Sequence, residues 1–140
     1  MISYIDNPNS ISSAEIVIGI PSYNEVNTIS IPTLQASLGL VQYCPDKSSV
    51  IINVDNNSKD GTREAFLNTK TEVPKMYIST PEDVKGKGYN IRNLLKVAAE
   101  LKAEAIIMID ADLTSITPEW IESFLEHIHD GYDFVVPIYS

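Results

Sequence analysis

Cysteine is nearly missing from this chain: Cys44 stands alone among 140 residues. No disulfide framework can form within the chain, and a zinc cluster lacks ligands. That usage suits a reducing compartment, and a cytoplasmic location is expected. Basic charge is scarce too. Lys and Arg number 10 against 19 Asp and Glu, for a net charge of −9. This speaks against nucleic acid as a partner. A phosphorylated ligand would need local compensation from a metal, a lysine or backbone N–H groups. No apolar run reaches the roughly 20 residues that span a bilayer. The opening Met1–Asp6 segment lacks the basic and apolar parts of a signal peptide. No Gly-x-Gly-x-x-Gly turn follows the first apolar run, where Gly19 precedes Pro21. A dinucleotide-binding oxidoreductase is therefore disfavoured. Internal repeats and low-complexity tracts are also absent.

What is present is an ordinary globular balance, with 44% hydrophobic and 21% charged residues. The length fits one domain over residues 1–140. Five runs rich in Ile and Val read as strands covered on both faces: Glu15–Ile20, Val50–Asp55, Lys75–Ser79, Ala105–Asp110 and Phe134–Ile138. Helical patterns fall between them. Ile31–Leu40 has Ser30 as a cap and Pro32 in its first turn. Asp60–Asn68 follows a polar turn. Gly88–Leu101 carries a stripe of Ile91, Leu94, Leu95, Ala98 and Leu101. Thr117–His129 opens on Thr-Pro-Glu, presents Trp120, Ile121, Phe124, Leu125 and Ile128 on one face, and has Gly131 as a stop signal. The alternation predicts an α/β fold: a doubly wound, mostly parallel sheet with helices on both faces. Ligands of such sheets bind beyond the carboxyl ends of the strands. Pro21–Glu25, Asp55–Asp60, Thr80–Gly88 and Asp110–Thr114 gather there. The chain stops at Ser140, just after its last strand. We expect the first half of a larger domain, with an exposed edge that would favour a homodimer.

Asp110-Ala111-Asp112 closes the fourth of these strands. Alternation puts residues two apart on one side, so both carboxylates leave together. Such a pair is costly to ionise unless a cation or proton neutralises it. A hard divalent cation takes oxygens of this kind, with phosphate and water completing its shell.

Four motifs then occur in order: Ile18-Gly19-Ile20-Pro21-Ser22-Tyr23-Asn24-Glu25, Val54-Asp55-Asn56-Asn57-Ser58-Lys59-Asp60-Gly61-Thr62, Gly86-Lys87-Gly88 and Ile109-Asp110-Ala111-Asp112. In this the chain resembles the nucleotide-binding half of GT-A-fold, family-2-like glycosyltransferases, whose half-domain is Rossmann-like. Its Lys-Gly-Lys-Gly and Val-Val-Pro-Ile-Tyr stretches resemble those of glucosyl-3-phosphoglycerate and mannosylglycerate synthases. The resemblance implies a nucleoside-diphosphate sugar, UDP- or GDP-linked, as donor for an unknown acceptor. Pro21, Tyr23 and Glu25 would wall the nucleotide. Asp55 would hydrogen-bond the base edge, with Asn57 nearby. Lys87 would approach the diphosphate, and Ala111 lies between the two acids. Asp110 would face the ribose or metal-bound water, and Asp112 would ligate Mg²⁺ or Mn²⁺. That metal would stabilise the departing nucleoside diphosphate. The family's second half supplies the acceptor site and the general base or a further ligand, so the 140 residues alone are expected to be inactive.

Plainer readings stand beside these. Acids close strands in many α/β proteins. Asp55 also suits a turn, Asn56, Asn57 and Ser58 are turn formers, and Asp60 suits a helix cap. Exposed lysines such as Lys87 and solvated acids such as Glu25 are common. His127 and His129, two apart, share no helix face and do not read as a metal pair. Trp120 and Phe124 read as core, while Tyr89 and Arg92 fit either surface or site. Two alternatives remain in function. Asp110-Ala111-Asp112-Leu113-Thr114 fits the Asp-x-Asp-x-Thr motif of haloacid-dehalogenase-like phosphatases, with Asp110 as nucleophile, but that motif belongs on a first strand. A non-catalytic nucleotide-binding fragment is the other.

Overall fold

In a computed structural model, residues 2–129 and 134–135 are described, with side chains described through residue 126. The chain runs β1 (Tyr4–Asp6), β2 (Ile16–Ser22), α1 (Ser30–Tyr43), β3 (Ser49–Asp55), α2 (Thr62–Asn68), β4 (Lys75–Ser79), α3 (Lys87–Glu100), β5 (Ala105–Met108), α4 (Glu119–His129) and β6 (Phe134–Val135). Alternation along the strands builds two cores. Ile16, Ile18, Ile20, Ile51, Ile107 and Ile109 face one layer, with Ala36 and Leu40 of α1, Phe66 of α2, and Ile121 and Phe124 of α4. Val17, Val50, Ile52, Val54 and Met108 face the other, where α3 supplies Leu94, Val97 and Ala98. Apolar character on both sides is why the strands read as continuous runs. Gly19 is small for a packing reason: a Cβ there would lie 2.2 Å from Leu94 Cδ2, so its absence lets α3 approach β2.

The sheet order is β1-β4-β3-β2-β5-β6. All pairings from β4 to β6 are parallel, as expected for a doubly wound sheet. After β4 the chain crosses back to pair β5 with the other side of β2. The switch between β2 and β5 opens a cleft at their carboxyl ends. β2 runs to Ser22, two residues past the expected end, with Ser22 in register with Asp55. Pro21 costs no ladder bond there. Gly19 O accepts from Ile109 N at 2.9 Å, and Pro21 faces the same side beyond the last residue of β5.

Several boundaries differ from expectation. β5 ends at Met108 rather than Asp110, because Leu113 N donates to Asp110 O at 3.2 Å and turns the chain. Ser30 does not cap α1. It is the first helical residue, behind the buried Ile29, and a turn from Glu25 leads in. α2 starts at Thr62 and α4 at Glu119. Asp60 still serves the start of α2, its carboxylate accepting from Thr62 N at 3.0 Å. In the α3 stripe Leu94, Ala98 and Leu101 are buried, whereas Leu95 is 42% exposed. Phe124 lies in the first core, and Trp120, edge-to-face with it, packs against that core, as expected. The continuation of β6 to Ile138, Gly131 and the side chains of His127 and His129 lie outside the described residues.

Lys75 and Cys44 are buried titratable groups away from the cleft. Lys75 donates its ammonium to the carbonyls of Phe66, Leu67 and Thr69, the C-terminal end of α2, while burial lowers its pKa. The negative end of a helix suits that cation. Cys44 packs in the first core, and burial followed by the nearby Asp46 pushes its thiol up, as for an inert core cysteine.

Candidate functional site

Four segments line a cavity of about 370 Å³ at the switch between β2 and β5. The end of β2 and the loop after it give Pro21, Ser22, Tyr23 and Glu25. The segment entering α3 gives Lys85, Gly86, Lys87 and Asn90. The turn after β5 gives Asp110, Ala111 and Asp112, and Asn56 comes from the end of β3. Every residue expected at the site lines this cavity except Asp55 and Asn57. The two acids meet there from a turn rather than from strand alternation.

Lys87 Nζ donates to Asp110 Oδ1 at 3.0 Å. The lysine side chain is 56% exposed, so the pair adds about 0–1 kcal/mol to stability. Its weight is in placing positive charge at the acid turn. Lys85 lies 5.0 Å from the centre of the Tyr23 ring and donates to Asn56 O at 2.9 Å. Gly86, at φ 123°, precedes α3, and no side chain caps that helix. Its first amides and positive end therefore adjoin the cavity. Glu25 is pushed above the usual carboxylate range. Burial is the largest cause, and the charges of Asp112, Asp60 and Asp110 add to it against a hydrogen bond from Thr28.

Asp55 lies beneath the cavity and is fully buried. Its Oδ1 accepts from Ser22 Oγ and Ser58 Oγ, each at 2.7 Å. Its Oδ2 accepts from Ser58 N at 2.8 Å and Tyr77 OH at 2.7 Å. Burial and that bond push the Tyr77 phenol up. Asn57, at φ 58°, borders a different groove, beside Tyr4, Arg63 and Tyr77. Tyr89 stacks with Arg92 at 5.5 Å, and neither lines the cavity. Sequence reasoning missed Ser22, Asn56, Lys85, Gly86 and Asn90. Asn90 could have been found three residues beyond Lys87, on the same helix face.

The model of Glycosyl transferase family 2 matches residues 17–139. The chain belongs to this glycosyltransferase family. A search of curated proteins finds no match. Solved structures match over 28 chains. One, the crystal structure of S. aureus TarS 1-349, superimposes with a TM-score of 0.65 at 20% identity over 83% of this chain. That likeness bears on the fold, which is the one expected. This chain spans 32% of that structure, about a third of its length. The family match does not reach the narrower synthase likeness, and it lends nothing to the phosphatase alternative. No helix among the described residues is long and apolar enough to cross a membrane.

Proposed function

We propose that the cavity binds the nucleoside diphosphate of a sugar donor, UDP- or GDP-linked, for glycosyl transfer to an acceptor held elsewhere. The observation that carries this reading is the meeting of two opposite charge environments in one cleft. Lys87 and the uncapped start of α3 offer donors to an anion. Asp110 and Asp112 offer hard oxygens to a cation. A diphosphate with a divalent metal satisfies both at once.

The residues present fit Mg²⁺ or Mn²⁺. Glu25 is already raised by burial and by Asp112 and Asp110, a crowding that a cation relieves. Asp112, with Asp110 beside it, would hold the metal. Among the described residues no three or more His, Cys, Asp and Glu group as a metal cluster, so phosphate oxygens would complete the shell. The bound metal would supply charge stabilisation for the departing diphosphate. Lys87 would exchange part of its bond with Asp110 for the diphosphate. Tyr23, now covered by Lys85, would wall the base, and Pro21 would shape that wall without a free N–H. Asp55 would act from below, fixing Ser22, while Asn56 would face the ligand.

The test is a melting curve with UDP or GDP and Mn²⁺. We expect a rise in Tm with one of them, abolished by Asp112→Ala. No rise with either nucleotide in the wild type removes donor binding by this chain.

A further inference from the structure

Tyr23 and Glu25 stand in the cavity wall on a loop that has left the sheet. Its backbone amides need acceptors from somewhere else. Three consecutive ones find side chains of the β3–α2 loop and the first residue of α2. Asn24 N donates to Ser58 Oγ at 2.7 Å, Glu25 N to Thr62 Oγ1 at 2.9 Å, and Val26 N to Asp60 Oδ2 at 3.2 Å.

Each acceptor is itself aimed. Ser58 Oγ gives its proton to Asp55, which leaves a lone pair for Asn24. Thr62 Oγ1 gives its proton to Asp60 Oδ1, which leaves a lone pair for Glu25. Asp60 accepts on both oxygens, a task that suits a carboxylate and not an amide. Gly61, at φ 100°, takes the left-handed turn that brings Asp60 back over Thr62. Asn24, at φ 55°, holds a conformation that few side chains adopt. None of Ser58, Asp60 and Thr62 lines the cavity.

We propose that Ser58, Asp60 and Thr62 are positioning residues, a side-chain clamp that fixes the backbone of Asn24–Val26 and so sets Tyr23 and Glu25 for the ligand. The Ser-x-Asp-Gly-Thr stretch thus acts on the site through a neighbouring loop and not by contact. For its ligand the clamp rests on the donor-binding reading; for its geometry it does not.

The experiment separates the two. Thr62→Val keeps the shape and removes the acceptor, whereas Thr62→Ser keeps the hydroxyl. Amide hydrogen exchange at residues 24–26 is measured by NMR without ligand, and the Kd for UDP and GDP with Mn²⁺ by calorimetry. We expect Thr62→Val to speed exchange of the Glu25 amide about fivefold or more and to weaken the binding nucleotide by a similar factor, roughly what one hydrogen bond supports. Thr62→Ser should restore both to within about twofold. Asp60→Asn should free either the Val26 amide or the Thr62 amide, because only one end of the new side chain can still accept. The clamp is overturned if Thr62→Val keeps wild-type exchange or wild-type affinity, or if Thr62→Ser fails as badly as Thr62→Val. If the wild type binds neither nucleotide, the donor reading fails, and the exchange of amides 24–26 alone decides the clamp. Should Thr62→Val not fold, Ser58→Ala asks the same question at the Asn24 amide.

Discussion

Glu25 and Asp60 lie on adjoining loops and are driven in opposite directions. Burial, then Asp112, raises Glu25. For Asp60 burial also pushes upward, but hydrogen bonds from Thr62 and Val26 outweigh it and hold the carboxyl low. The consequences for stability differ in sign. Asp60 contributes stability above the unfolded carboxylate pKa, and loses it as pH falls through its depressed folded value. Glu25 does the reverse. Between the unfolded pKa and its raised folded value the native state holds more protons than the unfolded chain. Stability therefore falls as pH rises through that window. Glu25→Gln removes the charge and can keep the hydrogen bond from Thr28, now 3.3 Å. We expect the variant to be more stable than wild type at pH 7.5 without added cation, and equal to it at acid pH, below the unfolded carboxyl pKa. Urea midpoints across that range check it, and a pH-independent difference would show that the carboxyl crowding at the cleft has no energetic effect.

At the scale of elements, α1 and α4 meet over Gly39. A Cβ there would lie 2.4 Å from Ile121 Cγ1 and 2.7 Å from Pro118 O. Alanine is the better helix former by about 1 kcal/mol. The clash with a backbone oxygen should outweigh that, so Gly39→Ala is expected to destabilise by about 1–3 kcal/mol. Gly88, in the first turn of α3, has no atom within 4 Å of such a Cβ. Gly88→Ala should leave stability unchanged or raised. Denaturant melts of the two variants decide, and equal effects would mean that helix propensity rather than the α1–α4 approach sets the cost. What was legible in the sequence follows the same physics. β4 was readable to the residue because both faces of its Lys75–Ser79 run are buried. The start of α3 was readable because Gly86-Lys87-Gly88 breaks the chain before a stripe. The acid pair stands out in the sequence, but the turn that carries it does not, since the bond from Leu113 N to Asp110 O has no signature in residue type. Asp55 was read as ligand-facing, although Asn56 is the one that lines the cavity. Direction at a strand's last residue depends on which neighbours continue, and that is tertiary information.

The whole molecule adds an edge that short-range pattern does not announce. Tyr4-Ile5-Asp6 is too short and too exposed to read as a strand, yet it pairs antiparallel with Tyr77–Ser79 of β4. Ser3 N extends the ladder by donating to Ser79 O at 2.9 Å. This strand covers an edge that would otherwise present free N–H and C=O groups. Arg63 of α2 fastens it. The guanidinium pairs with Asp6 at 2.6 Å, donates to Tyr4 OH at 3.0 Å and stacks on the Tyr4 and Tyr77 rings at 5.2 and 5.8 Å. Tyr77 in turn donates to Asp55 under the cavity, so the edge and the floor of the site share a residue. Arg63→Ala removes two partly exposed ion pairs, to Asp6 and Glu64, the bond to Tyr4 and two ring contacts, a loss of about 1–2 kcal/mol. That loss falls on β1 and not on the central strands, whose pairing does not involve Arg63. We expect faster amide exchange across Tyr4–Asp6 and at those amides of Tyr77–Ser79 that pair with it, with β2 and β3 unchanged. Light scattering should then show concentration-dependent association through the uncovered β4. Uniform acceleration through every strand would instead make Arg63 a contributor to global stability, and unaltered exchange at β1 would mean that backbone pairing holds this edge without it.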